Sequence, residues 1–334
     1  MQNMYKWVEE IIASKEKKPF PVLSFPAIQK LNISVQDIVR DSDKQVEGIK
    51  LIADSFDTAA SVSYLDLSVE AEAFGSEIRY SENEVPTVVG HIIESMEEAQ
   101  ALKVPEIGAG RTGTNLEAMK KAAKLVTDRP LFAGIIGPFS LAGRLLDVTE
   151  AMMYCFDEPE MVHEVLGKVT AFLIDYCKAY KETGVAGVVM AEPLAGLLSE
   201  DLAQEFSAEY VKKLVDAVQD ENFLIIYHNC GNSAVHTVGT IVNNGCKIFH
   251  FGNAIDMAEM MEHIPKDCIA MGNVDPATQF KNGTPESVYE QTKQVLDACR
   301  GYDNFVISSG CDIPPTSPWE NIEAFFCAVK DNRA

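Results

Sequence analysis

Residues 223–231 read FLIIYHNCG, an apolar run that ends with a histidine and a cysteine two positions apart. Read as a strand, the run sends alternate side chains to opposite faces, so His228 and Cys230 point the same way and reach its end together. Tyr227 and Asn229 face the other side, where packing is their default role. A histidine and a cysteine placed like this make half of a metal site. The other half needs a further soft ligand, and NFVISSGC at 304–311 supplies one, because it too is an apolar run ending in a cysteine, Cys311.

Outward from this strand, helical and extended patterns alternate. A helix at 202–218, capped near Ser199, precedes it, and a long helical pattern at 159–183 precedes GVVMAEP (187–193). Downstream, 234–242 precedes KIFHFG (247–252), 257–263 precedes IAMGNVDP (269–276), 285–299 precedes NFVISSGC, and a last helix starts at Pro318. Upstream, Thr114 or Asn115 caps the helix LEAMKKAAKLV ahead of LFAGIIGPFS (131–140). A helix at 42–56 precedes TAASV (58–62), and PVLSFP (21–26) reads as the first strand, after an amphipathic helix within residues 1–18. Residues 63–113 hold an acidic stretch, a Pro/Gly-marked stretch, a helix around 96–103 and the loop GAGRTGT. Strand-helix alternation demands a parallel sheet, and eight such units close on themselves. The expected fold is therefore α/β, a (β/α)8 TIM barrel with an N-terminal helical extension and an elaboration between strands 2 and 3. It forms a single domain over 1–334. A doubly wound open sheet would carry a Gly-rich turn after its first strand, and PVLSFPAIQK has none.

Composition narrows the partners. With 47% apolar residues in 334, the chain can bury a sizeable core. Its formal net charge of -22 repels phosphates, so neither nucleic acid nor an anionic membrane is an expected partner. No apolar run is long enough to span a bilayer, and residues 1–18 lack the pattern of an export leader. The expected location is the cytoplasm, where all eight cysteines stay reduced.

Polar residues at strand C-termini of a barrel share one pocket. Here they are Glu192, His228, Cys230, Asn253, Asp275, Cys311 and Asp312. His228, Cys230 and Cys311 are the candidate metal ligands; Glu192 and Asp275 are the candidate catalytic carboxylates. Two thiolates and an imidazole suit zinc, and three protein ligands leave the open position of a catalytic site. That donor set cancels the ion's charge, which makes it a weaker Lewis acid but still able to bind a thiol and take its proton. A sulfur held at a neutral centre stays nucleophilic, so alkyl transfer to sulfur is the chemistry that fits. A closed structural zinc in a non-enzymatic barrel is the competing reading. Cys155, Cys177, Cys246, Cys268, Cys299 and Cys327 read as small buried hydrophobes.

Together HNCG, GNVDP, SSGCDIPPTSPWENIEAF, SVEAEAFGSEI and GPFSLAGRLL resemble the uroporphyrinogen decarboxylase superfamily over nearly the whole chain. Within it they resemble the branch of methylcobamide:coenzyme M methyltransferases. The resemblance implies a TIM barrel in which zinc, held by His228, Cys230 and Cys311, activates a small thiol such as coenzyme M. It also implies a methylcorrinoid supplied by a partner protein, from which the thiol takes its methyl group. Glu192 falls where an acidic residue recurs after the fourth strand, as a fourth ligand at rest or a group behind the ligands. Relatives run the scaffold in the opposite sense, moving methyl from a methyl ether, methanol, a methylamine or a halomethane onto the corrinoid.

The decarboxylase itself is the third reading. Its polycarboxylate substrate requires arginines just after the first strand, and FPAIQKLNI has none. Asp57 falls near the decarboxylase's catalytic aspartate and reads equally as a cap. A corrinoid-carrying segment would show D-x-H-x-x-G; AVHTVG (234–239) has alanine in place of the aspartate, so His236 is an ordinary helix residue. Arg111, in GAGRTG, and Arg144, in LAGRLL, either contact an anionic group such as a sulfonate or form structural ion pairs.

Overall fold

The computed structural model describes residues 2–332; Met1, Arg333 and Ala334, the outermost residues of the span 1–334, lie outside the described residues. In chain order the strands are β1 (Ser61–Val62), β2 (Glu77–Arg79), β3 (Thr87–Val89), β4 (Leu131–Ile136) and β5 (Gly187–Ala191), followed by β6 (Leu224–Asn229), β7 (Ile248–Phe251), β8 (Ile269–Val274) and β9 (Phe305–Ser309). A seven-stranded parallel sheet runs β1-β4-β5-β6-β7-β8-β9, while β2 and β3 form a separate antiparallel hairpin. Helices join the successive sheet strands, which gives the expected barrel-type alternation.

The eighth strand differs from expectation. Residues 19–23 run extended between β9 and β1 but form no regular ladder. Phe20 donates to Ile307 O at 2.9 Å on one side, and Pro19 O accepts from Ala59 N at 2.9 Å on the other. Pro19 and Pro21 carry no N–H, so every second bond of a ladder is missing. Val22 donates instead to the Ser309 side chain (3.0 Å). Seven strands and one proline-interrupted segment thus close the ring.

Two further boundaries move. LFAGIIGPFS does not stay extended to 140: β4 stops at Ile136, and Pro138 opens the helix Pro138–Leu146, because proline's fixed φ and missing N–H suit the first helical position. A second helix, Val148–Asp157, follows before the long helix Pro159–Thr183. The elaboration between β1 and β4 contains the β2/β3 hairpin and the helices Val69–Ala73, Met96–Ala101 and Thr112–Leu125.

Strands β4 to β9 are buried on both faces, as a parallel sheet under a helical layer must be. Inward residues Phe132, Val189, Leu224, Ile226, Ile248, Ile269, Met271 and Val306 form one cluster with Met4, Trp7 and Val8 of the helix Met4–Ala13. That helix plugs the N-terminal end of the barrel. Asn3 caps it through Lys6 N (3.0 Å), Met4 N donates to Glu221 O (2.6 Å), and the Trp7 ring packs 5.9 Å from that of Phe132, tilted by 40°. Outward residues such as Ile225, Tyr227, Phe249 and Phe251 pack against the surrounding helices. No helix among the described residues is long and apolar enough to cross a membrane.

Candidate metal centre at the barrel mouth

The centre grows out of strand register. Ala191, His228 and His250 stand side by side on β5, β6 and β7, and Cys230 is the first residue past β6. Cys311 comes two residues after β9. His228 Nε2 lies 3.5 Å from Cys311 Sγ, and one donor atom from each of His228, Cys230 and Cys311 falls within 4.8 Å of the other two. Tetrahedral zinc with bonds of about 2.1 Å to nitrogen and about 2.3 Å to sulfur needs donor separations of roughly 3.5 to 3.8 Å, so this triangle closes with small side-chain movements. His228 is buried, whereas both cysteines keep some exposure, which leaves the sulfur side reachable. Gly252 is required here, because a Cβ on it would come within 2.6 Å of the Cys230 side chain.

Electrostatics favour a cation. A hydrogen bond from Cys311, opposed by burial and helped by His228, holds the Cys230 thiol well below its ordinary range. The same bond, with burial, pushes Cys311 well above its own. The two thiols keep one proton between them, a proton that a bound cation displaces.

His250 escaped the sequence reading. It is fully buried, and its ring lies against that of His228, 4.5 Å between centroids and tilted by 34°. Burial, then the neighbouring His228, keep its pKa well below 6.5, so the ring is neutral. The signal was available: in KIFHFG the strand period puts His250 on the inward face, level with His228.

The two candidate carboxylates stand outside the triangle. Glu192 is buried and accepts from Phe139 N (2.7 Å), Ser140 N (3.1 Å) and Ser207 Oγ (3.0 Å), so it anchors the N-terminus of the helix Pro138–Leu146. Burial pushes its carboxyl up to about 7. Gly137 makes room for it, since a Cβ there would overlap the carboxylate. Asp275 caps the turn Pro276–Lys281 by accepting from Ala277 N (2.8 Å) and Thr278 N (2.9 Å). Asp312 is pushed well above the ordinary carboxylate range by burial and the charge of Asp66. Asn253 is exposed beside Gly310.

Residues 22–332 match the uroporphyrinogen decarboxylase (URO-D) family. The chain belongs to that family. It is 30% identical to the methylcobamide:CoM methyltransferase MtbA of Methanosarcina acetivorans over 270 residues, 80% of this chain and 78% of the relative. It is 27% identical to the uroporphyrinogen decarboxylase of Synechococcus sp. (strain CC9605), over 80% of this chain and 77% of that one. The solved structure of a methyltransferase from Methanosarcina mazei superposes with a TM-score of 0.86, covering 100% of both chains at 23% identity, which establishes the shared fold.

The remaining residues can be placed within this URO-D fold. Asp57 precedes β1 at the plugged end and pairs with Lys18 (2.6 Å), so it does not face the mouth. Arg111 is a structural ion pair: it bonds Asp66, Glu72 (2.6 Å) and Ser68 (2.8 Å) and ties the elaboration down. Arg144 is half-buried, and burial lowers its basicity. His236 is exposed in a turn, not on a helix, because the helix starts only at Val238. Cys155, Cys177, Cys246, Cys268 and Cys299 are buried as expected, but Cys327 is exposed on the last helix, Trp319–Asp331.

Proposed function

We propose that the chain is a zinc-dependent methyltransferase that moves a methyl group between a corrinoid, carried on a partner protein, and a small thiol such as coenzyme M. It would act in the cytoplasm as one domain over 1–334. The observation that carries this reading is the convergence of one donor atom each from His228, Cys230 and Cys311 within 4.8 Å, with His228 Nε2 3.5 Å from Cys311 Sγ, at the C-terminal ends of the barrel strands. Its similarity to a methylcobamide:CoM methyltransferase and to a methylated-thiol–coenzyme M methyltransferase supports the same reaction class.

Bound zinc would supply a position for the thiol's sulfur and make its proton leave easily. The chain's own residues do the rest. Cys230 and Cys311 give up their shared proton and bring two negative charges, so the centre is neutral and the substrate sulfur keeps its electron density. His228 presents its Nε2 lone pair from a buried strand, which fixes the third corner of the triangle. Glu192, from behind, keeps the helix Pro138–Leu146 seated against the mouth.

The test is incubation with methylcobalamin and candidate thiols, following the cob(I)alamin spectrum, alongside X-ray absorption of the zinc-loaded protein with and without thiol. Thiol-dependent demethylation and a new zinc–sulfur ligand support the proposal. Methylation of cob(I)alamin by methanol or a methylamine, with no thiol dependence, assigns the opposite direction. A zinc already four-coordinate and indifferent to thiol makes the site structural and overturns the proposal.

A further inference from the structure

The adjacent rings of His228 and His250 bear on how the metal corner is held. His250 Nε2 lies 2.6 Å from Ser309 O and 3.2 Å from Ser308 Oγ. A carbonyl oxygen cannot donate, and the single Ser308 hydroxyl proton goes to Phe20 O at 2.7 Å. Nε2 is therefore the nitrogen that carries a proton, and Nδ1, buried with no acceptor in reach among the described residues, is left as the lone-pair side of the ring. His228 is constrained in the complementary way. Its Nε2 faces Cys311 Sγ at the corner of the donor triangle, and ligating a cation there requires the Nε2 lone pair, which leaves the ring proton on Nδ1. Both Nδ1 atoms are buried and find no partner among the described residues. One orphan donor and one orphan acceptor thus sit on adjacent rings, 4.5 Å between centroids and tilted by 34°. Leaving two buried polar groups unpaired is costly, and a single water spanning them satisfies both.

We propose that His250 is a positioning residue whose Nδ1 accepts the Nδ1–H of His228 through one bridging water, locking the tautomer that aims Nε2 at the two sulfurs. Ligating histidines elsewhere use a carboxylate or carbonyl in this role; here a second histidine, itself oriented by the β9 backbone, takes it. The proposal rests on the zinc reading above.

The experiment compares His250→Phe, His250→Asn and His250→Gln. Asparagine keeps an acceptor in the place of Nδ1, whereas glutamine keeps a donor in the place of Nε2. Zinc affinity is read by chelator competition, and nitrogen NMR of the metal-free protein reads the His228 tautomer. His250→Phe and His250→Gln should weaken zinc binding by roughly 10- to 100-fold and mix the tautomers, while His250→Asn keeps both close to wild type. Rescue by glutamine and not by asparagine would reduce His250 to a tether for Ser309 and overturn the proposal, as would wild-type affinity and tautomer in His250→Phe. Should wild-type protein bind no zinc while the tautomer still depends on residue 250, the metal reading fails and the hydrogen bond stands.

Discussion

At the N-terminal end of the barrel, Trp7 packs against Phe20 and Phe132 in a dry cluster with Met4 and Val8. At the other end the same strands present His228, His250, Ser308 and, just beyond, Cys230 and Cys311. Ring closure follows the same division. Below, Phe20 and Val22 fill the interior; above, Val22 N and Phe20 O bond to serine side chains of β9. One end gains free energy from apolar area removed from water, and the other spends some of it to hold polar atoms at fixed positions. The two ends should therefore respond differently to substitution: the mouth should lose chemistry without unfolding, and the plug should lose stability without losing the metal.

The largest effect is expected from Cys311→Ala. It removes one of three donors, so zinc content by metal analysis should fall to background and thiol-dependent methyl transfer should disappear. The thermal midpoint of the metal-free protein should stay near that of metal-free wild type, since Cys311 is not part of either apolar cluster. A collapsed fold would show that the mouth is structural after all, and full activity would remove Cys311 from the site.

Next comes Trp7→Ala, at the plug. Truncating a large buried aromatic leaves a cavity and costs about 3 to 5 kcal/mol. Urea unfolding should show that loss as a lower midpoint at unchanged slope, while zinc stoichiometry and affinity at low temperature remain as in wild type. Loss of zinc at temperatures where the variant is folded would mean the two ends are coupled.

The same division explains what the sequence could reveal. Strands β5 to β9 are apolar on both faces and end in polar residues, so their number, direction and mouth residues follow from pattern alone, and with them His228, Cys230 and Cys311. The closing segment has the pattern of an ordinary strand because the two prolines that break its ladder leave its apolar run intact. The helix Pro138–Leu146 was hidden for the opposite reason. Eight of its residues are buried, so it has no polar face and its apolar run merges with that of β4. The β2/β3 hairpin has only three residues per strand and half-exposed faces, too little pattern to notice. The sequence leaves Glu192 as a ligand or a group behind the ligands, because its partners are backbone N–H groups some fifty positions earlier, which only the folded chain brings to it. Asp275 precedes a proline and a short helical turn, and its carboxylate caps that turn, a local role that the same residues also signal.

A third prediction concerns pH, and it sharpens the contrast because Glu70, part of the elaboration between β1 and β4, is buried with Oε2 unpartnered among the described residues. Burial raises its carboxyl from 4.5 to about 8, only partly offset by the hydrogen bond from Ile136 N. Below 4.5 folded and unfolded chains both hold the proton, and the group contributes nothing. Between 4.5 and about 8 the folded chain keeps a proton that the unfolded chain has lost, so stability falls as pH rises and levels off above that window. Glu192, raised to about 7, acts in the same sense over a narrower range. Glu70→Gln keeps an acceptor for Ile136 and cannot ionise. Urea melts at about pH 5 and about pH 8 should show it gaining on wild type with rising pH, by at most about 1.4 kcal/mol per unit. Parallel pH curves would mean that Glu70 titrates alike in both states.

The smallest effect is expected from Asp57→Ala. In the resemblance to the decarboxylase this residue falls near a catalytic aspartate, yet it precedes β1 at the plugged end, and both it and its partner Lys18 are more than half exposed. An ion pair so open to water and salt contributes at most about 1 kcal/mol, and its loss exposes no buried charge. The variant should keep its zinc, its thiol dependence and, at moderate salt, nearly its full melting temperature. A large loss of turnover with the fold and metal content intact would mean that the plugged end takes part in catalysis. That outcome would break the division between the two ends more directly than any change at the mouth, because no side chain of the sulfur–imidazole triangle is touched.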